Sequence, residues 1–178
     1  MNLPAVSTLI PHRPPMQLID TLLAVDDREL WAQALVAPPN ALLRDGRLPA
    51  VAALEHMAQA SAAYFGWHAM CEAERDDVAV PEPAPGMLVA CRSLDTRVTQ
   101  FETGAQLLIA VEPAAGNAGS HALVRFRGRL WGRSGEHSPD SAAALRAYAA
   151  DHEPAVSAEF SVYVPPADGT APQGEPHG

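Results

Sequence analysis

The sequence is poor in cysteine, and this excludes several classes of protein. Cys71 and Cys91 are the only two among 178 residues. A disulfide scaffold or a cysteine-based metal knuckle needs several cysteines at short, regular spacing. The pair instead indicates buried, reduced thiols that contribute to packing.

Positive charge and long apolar runs are also scarce. Twelve Lys+Arg against 21 Asp+Glu give a net charge of −9 and a pI near 5.1, which disfavours binding to nucleic-acid phosphates. The most apolar stretch, residues 48–70, contains Glu55, His56 and His68, so it does not read as a membrane-spanning helix. The amino terminus has no basic start followed by an apolar run. We therefore expect no signal peptide, no membrane span and a cytoplasmic protein.

The composition indicates one folded domain. Apolar residues make up 48% and charged residues 19%, which is ordinary for a globular chain of this length. We expect a single domain over residues 1–164. Residues 165–178 hold four prolines and three glycines, which predicts a disordered tail.

The order of predicted elements indicates an α+β fold. A turn at Asp26–Arg28 divides the first two strands, and a proline-rich linker follows the longest helix. The predicted strands span 16–27, 29–37, 86–98, 106–112, 121–131 and 158–164. The predicted helices span 49–70 and 141–153.

The helix predicted over residues 49–70 is unusually apolar. Pro49 stands at its opening position, where a helix tolerates proline, and its length is about 33 Å. Glu55 is its only formally charged residue apart from histidines, so we expect burial on most sides. A curved sheet wrapped around such a helix is the hot-dog arrangement.

The segment around His12 is the first candidate for chemistry. Pro11 precedes it, and Pro14 and Pro15 follow Arg13. Proline fixes its own backbone and disfavours helix in the residue before it. The pattern predicts a preset extended loop that holds His12.

Two segments, PHRPPMQLID and LPAVAALEHMAQA, resemble the paired motifs of the hot-dog 3-hydroxyacyl-carrier-protein dehydratases. The sharper resemblance is to the dehydratases of aryl polyene lipid synthesis. It implies that His12 and Glu55 are the catalytic pair, with the histidine of one protomer facing the glutamate of the other across a two-fold dimer. It also implies an acyl carrier protein as partner, while Ala50 stands where the family usually has glycine.

The chemistry of dehydration fits these residue types. His12 suits a base for the C2 proton, because neutral imidazole titrates near physiological pH. Glu55 in an apolar helix suits the acid that protonates the departing hydroxyl. Free N–H groups near Ala50 and Val51 would face the thioester oxygen, and Gln59 either supports the Glu55 carboxyl or only packs. The reaction requires no metal or redox cofactor, and phosphopantetheine carries the substrate.

A basic stripe is predicted on the strand at 121–131. Alternating residues of a strand share a face, and Arg133 extends the row. The stripe is either an ordinary solvated face or a dock for an acidic acyl carrier protein. Its members are Arg125, Arg127, Arg129 and Arg133.

Two alternative functions stay open at this point. A hot-dog thioesterase also binds acyl thioesters but uses a carboxylate to activate water. A non-catalytic hot-dog subunit would stabilise an active partner, so the assembly is either a homodimer or a heterodimer. His56 and His68 are interpreted as structural, and the stretch at 135–155 has no functional interpretation.

Overall fold

An antiparallel sheet and one long helix form the body of the molecule. The structure is a computed structural model that describes residues 3–83, 85–114, 123–133, 139 and 141–164. Its strands are β1 (Thr21–Val25), β2 (Leu30–Leu35), β3 (Arg47–Pro49), β4 (Met87–Thr96), β5 (Gln100–Glu102), β6 (Gln106–Pro113), β7 (Leu123–Arg133) and β8 (Val156–Tyr163). Its α-helices are α1 (Val6–Leu9), α2 (Ala53–Arg75) and α3 (Ala142–Asp151), and a 3-10 turn at Ala50–Ala52 leads into α2.

The strand order confirms the predicted fold class. Six strands form one sheet in the order β1-β2-β6-β7-β8-β4, and β3 pairs with β5 in a separate short ladder. All of these pairings are antiparallel. Helix α2 contacts β2, β6, β7 and β8, so the sheet wraps the helix as in a hot-dog fold.

Small residues let α2 lie close to the sheet. A Cβ atom at Gly128 of β7 would lie 2.5 Å from Sδ of Met57, so a larger residue here would require the Met57 side chain to move. Further along α2, the ring of Tyr64 meets Phe126 of β7 edge-on at 5.9 Å. Close packing against β7, as well as hydrophobic burial, therefore holds the long apolar helix in the core.

The prediction for α2 is corrected in two respects. The helix ends at Arg75 instead of Met70. Burial on most sides holds only for the first half, because beyond Tyr64 the single buried residue of α2 is Ala73. The second half is therefore open to other contacts along one side.

Helix α3 covers the outer face of the sheet, which gives residues 141–151 a structural role. Leu145 packs there with the stacked rings of Trp31 and Trp131, whose centroids are 5.7 Å apart. Arg146 donates to Asp26 and Glu29 at 2.6 Å each, which ties α3 to the turn between β1 and β2. The predicted tail at 165–178 and much of 134–140 lie outside the described residues.

Strand β4 forms an edge of the six-stranded sheet and is exposed over nearly its whole length. Only Leu94 is half-buried, whereas Met87 and Val89 are 58% and 56% exposed. Cys91 is also exposed, so the prediction that both thiols are buried is wrong for this residue. The edge is apolar at its start, and within the described residues β8 is the one strand that pairs with it.

Candidate active site

His12 and Glu55 line one small cavity within the same chain. The cavity has a volume of about 40 Å³, which is room for a few water molecules. No hydrogen bond or ion pair joins the two side chains in the described part of the chain. They therefore flank a gap. The other lining residues are Ala58, Gln59, Ala62, Phe65, Gly86, Met87, Leu88, Val162 and Val164.

Hydrogen bonds from Arg13 stabilise the loop that carries His12. Nη1 of Arg13 donates to the carbonyl oxygens of Ile10 at 2.9 Å and His12 at 2.7 Å. The carbonyl of Arg13 accepts from the backbone N–H of Met16 at 2.9 Å. These bonds, together with the prolines, fix the backbone of His12 in the non-helical loop that was predicted.

The two ring nitrogens of His12 have different surroundings. Nδ1 is buried and has no hydrogen-bond partner among the described residues, whereas the residue as a whole is half-buried and lines the cavity. A base in this cavity needs one accessible nitrogen with a lone pair.

Gln59 joins the His12 loop to Glu55. Its Nε2 donates to the carbonyl of Met16 at 2.7 Å and to Oε1 of Glu55 at 3.1 Å. Its Oε1 accepts from the backbone N–H of Leu18 at 2.8 Å. Gln59 is 1% exposed, so this amide is a buried support for the carboxyl, which resolves the two predicted alternatives.

The bond from Gln59 distinguishes the two oxygens of Glu55. Oε1 accepts a hydrogen bond, so a proton on the carboxyl belongs on Oε2. The side chain is half-buried, and the described residues place no Arg within ion-pair distance of it. Glu55 thus lines the same cavity as His12, with one carboxyl oxygen bonded to Gln59.

Comparison with known proteins assigns the family. The family model described as ApeP dehydratase (ApeP-like) matches residues 4–171. The chain belongs to the ApeP-like dehydratase family. A comparison with curated proteins gave no significant match.

Three solved structures are similar to this ApeP-like chain, and the first of them supports its fold. The dehydratase heterocomplex ApeI:P from Xenorhabdus doucetiae contains a chain with 24% identity and a TM-score of 0.70, and 93% of each chain is covered. A hypothetical thioesterase with coenzyme A from Streptococcus pneumoniae has 9% identity and a TM-score of 0.48, with 81% and 84% covered. The PaaI protein of E. coli has 7% identity and a TM-score of 0.48, with 81% and 78% covered.

The helix start of the ApeP-like chain differs from the prediction. The backbone N–H of Ala50 donates to the carbonyl of Thr99 at 2.9 Å, so the prediction that it is free for a thioester oxygen is wrong. Neither Ala50 nor Val51 lines the cavity of His12, and Val51 is 60% exposed. The sequence could not reveal this, because Thr99 is brought to the helix start by the pairing of β3 with β5.

The structure adds cavity residues that sequence reasoning missed. Gly86 precedes β4, Met87 and Leu88 begin it, Val162 lies near the end of β8, and Val164 follows that strand. Both segments were predicted as strands, but their proximity to His12 depends on the pairing of β4 with β8. No motif in the sequence marks them.

The predicted arginine stripe is partly neutralised within the sheet. Arg127 lies 3.9 Å from Glu159 of β8, and Arg129 lies 3.7 Å from Glu112 of β6. Arg133 stacks over the ring of Tyr148 in α3 at 5.1 Å, and Arg125 is half-buried. The four share strand β7, and carrier docking there stays a prediction.

His56 and His68 lie outside the cavity of His12. His56 is 1% exposed, its Nδ1 lies 2.9 Å from the carbonyl of Ala52, and burial lowers its pKa. The ring of His68 packs 4.4 Å from that of Tyr64. Within the described ranges, no group of three potential metal ligands occurs, and no helix there is long and apolar enough to cross a membrane.

Proposed function

We propose that this chain dehydrates a 3-hydroxyacyl thioester to the trans-2-enoyl thioester, with His12 as base and Glu55 as acid. The observation that carries the proposal is the unbridged gap between these two side chains in one cavity. Elimination of water needs a proton acceptor near C2 and a proton donor near the C3 hydroxyl. The membership in a dehydratase family supports the same reaction.

The step balances with these two residues alone. Nε2 of His12 removes the C2 proton, the C2–C3 double bond forms, and the C3–O bond breaks as Oε2 of Glu55 protonates the hydroxyl. Water leaves, His12 is protonated and Glu55 is ionised. Transfer of the proton from His12 back to Glu55 restores both groups.

The thioester oxygen also needs hydrogen-bond donors, since it gains negative charge when the C2 proton leaves. The N–H of Ala50 is already bonded. The donors for this oxygen must therefore be groups other than the N–H of Ala50.

The exposed edge of the sheet at β4 supports a proposed partner, a second hot-dog chain. Strand β4 has an open side and exposes the apolar side chains of Met87, Leu88 and Val89. Because Met87 and Leu88 also line the cavity, a strand added to β4 would close the site. The similar Xenorhabdus doucetiae structure is a dehydratase heterocomplex, which favours a different hot-dog chain over a second copy.

We further propose that an acyl carrier protein delivers the substrate on a phosphopantetheine arm. A catalytic cavity of about 40 Å³ holds only the reacting part of such a substrate, so the thioester arm must enter from the surface. The arginines of β7 form the candidate dock for an acidic carrier.

The function is tested with the chain alone and with its co-purified partner. A 3-hydroxyacyl pantetheine thioester should give enoyl product, and a saturated acyl thioester should release no free thiol. His12→Ala and Glu55→Gln should each lower dehydration by about 10² or more, while the surface controls His152→Gln and Glu74→Gln retain it. Thiol release from both substrates would identify a thioesterase. Full activity of the double variant in the complex would identify a non-catalytic subunit.

A further inference from the structure

A small cavity lies where helix α3 meets the turn that joins β1 to β2. Its volume is about 20 Å³, which is room for one water molecule. Trp31 of β2, Glu29 of the turn, and Ala142 and Arg146 of α3 are among the residues that line it. It shares no lining residue with the cavity of His12 and therefore serves a different purpose.

The indole of Trp31 carries a buried donor. The residue is 1% exposed, and its Nε1 has no hydrogen-bond partner among the described residues. A buried N–H group without an acceptor is costly, and native structures almost always supply one from the protein or from an ordered water. An acceptor is therefore required beside this ring.

The neighbouring Trp131 is a natural comparison for Trp31. The two rings stack with their centroids 5.7 Å apart, and Trp131 is 2% exposed. Nε1 of Trp131 donates to the carbonyl of His152 at 2.9 Å. Trp31 lines the small cavity instead, and within the described ranges its N–H meets no carbonyl.

The cavity also offers an acceptor on its other side. Glu29 is 8% exposed, and its Oε1 accepts from Nε of Arg146 at 2.6 Å. A carboxylate has about four lone-pair sites, so Glu29 can accept a further hydrogen bond. An anion would be repelled by Glu29 and Asp26, which both line the cavity, and a cation would meet the guanidinium of Arg146. The chemistry of the lining thus favours a neutral molecule that both accepts and donates.

We infer that this cavity binds one water molecule, which accepts a hydrogen bond from Nε1 of Trp31 and donates one to the carboxylate of Glu29. The water joins the ring of β2 to the turn that Arg146 of α3 also binds. It thereby completes the attachment of α3 to the outer face of the sheet. This site is independent of dehydration, so it does not depend on the proposed function.

A crystal structure of the full chain in its native assembly tests the site directly. We expect electron density for one oxygen atom about 3 Å from both Nε1 of Trp31 and a carboxylate oxygen of Glu29. A cavity without density, or an indole that donates to a protein carbonyl, would overturn the inference.

Nuclear magnetic resonance detects the same water in solution. In protein with isotope-labelled tryptophan, the indole proton of Trp31 should show a cross peak from a bound water molecule. The indole proton of Trp131 should show none, because it is bonded to a carbonyl. Trp31→Phe and Trp131→Phe assign the two signals. Absence of the cross peak at Trp31 would contradict the inference.

Substitutions identify the residues that hold the water. Ala142→Leu should fill the cavity and abolish the cross peak at the indole, whereas Ala143→Leu, at the next and exposed position of α3, should preserve it. Glu29→Met should abolish it by removing the acceptor, whereas Glu153→Met, which removes the surface partner of Arg97, should preserve it. A cross peak that survives Ala142→Leu in folded protein would place the water outside this cavity and overturn the inference.

Discussion

The amide nitrogen of Gln59 lies 3.1 Å from Oε1 of Glu55, one helical turn away, and 2.7 Å from the carbonyl of Met16. One buried side chain thus connects the acidic residue of the helix to the loop of the histidine. The distance between His12 and Glu55 depends on this connection, because Met16 follows His12 by only four residues.

Replacement of Gln59 by methionine keeps the size of the side chain but removes all three hydrogen bonds. The buried N–H of Leu18 and the carbonyl of Met16 lose their partner, so the free energy of unfolding should fall by about 2 to 4 kcal/mol in urea titrations. Loss of positioning should lower kcat about tenfold with little change in KM. Ser61→Ala, also buried on α2 but bonded only to its own helix, should keep kcat. An unchanged kcat in folded Gln59→Met would assign the residue to stability alone.

Complementation distinguishes a site within one chain from a site shared between protomers. Because His12 and Glu55 line one cavity of the same chain, every His12→Ala chain and every Glu55→Gln chain lacks a functional group. We expect no activity when the two unfolded variants are mixed and refolded, although wild type treated in the same way recovers. Recovery of about a quarter of wild-type activity, from about half mixed dimers, would show that the pair forms between protomers.

Protonation of His56 should oppose folding in mild acid. Burial lowers its pKa from the ordinary value of 6.5, despite the bond to Ala52. Below about pH 6.5 the unfolded chain therefore binds a proton that the folded chain does not, and stability falls as the pH falls. Unfolding free energies of His56→Gln should decline less between pH 7 and pH 5 than those of wild type.

The matched control for His56 is His152, which makes the same ring contact with a carbonyl four residues earlier but is exposed. His152→Gln should keep the wild-type dependence on pH. If the free energy of unfolding declines equally with pH in wild type, His56→Gln and His152→Gln, then carboxylates alone cause the loss of stability in acid.

The arginines of β7 are tested by separating carrier recognition from chemistry. Arg127→Gln with Arg129→Gln should raise KM for carrier-bound substrate about fivefold and leave a pantetheine substrate unaffected, since only the carrier presents an acidic surface. Arg75→Gln, at the end of α2, serves as the control. Equal losses on both substrates would show that the arginines only balance Glu159 and Glu112.

Gly66 sets how closely α1 approaches α2. A Cβ at this position would lie 2.3 Å from the carbonyl oxygen of Leu9, and backbone cannot yield as a side chain does. Gly66→Ala should cost about 1 to 3 kcal/mol in unfolding free energy and reduce kcat, because Leu9 lies just before the His12 loop. Gly86→Ala, with nearest contacts of 3.6 and 3.9 Å, should be stable, and a similar loss in both variants would contradict this account.

The sequence predicts the long elements well because their patterns are local. Strand-like apolar runs indicated the strands that became β6, β7 and β8, and the proline at position 49 marked the start of the helical region. The strands Arg47–Pro49 and Gln100–Glu102 were missed, since three residues are too few for periodicity. The two strands pair with each other, and the paired residues lie more than fifty positions apart in the chain.

The sequence predicted the residues of the candidate site but not the hydrogen bonds that connect them. The motifs pointed to His12 and Glu55, and the structure places both in one cavity. The roles of Gln59 and Ala50 depend on Met16, Leu18 and Thr99, which are distant in the chain or unremarkable in type. Hydrogen bonds to backbone leave no pattern in the sequence.

The open edge of β4 has a consequence for how the protein is made. An edge strand that begins with the exposed apolar residues Met87, Leu88 and Val89 can join another edge of its own kind and begin an open-ended chain of strands. In the proposed assembly with a second hot-dog chain, copies that outnumber the partner would keep this edge uncovered and would be prone to aggregate. The proposed assembly therefore requires balanced synthesis of its two subunits.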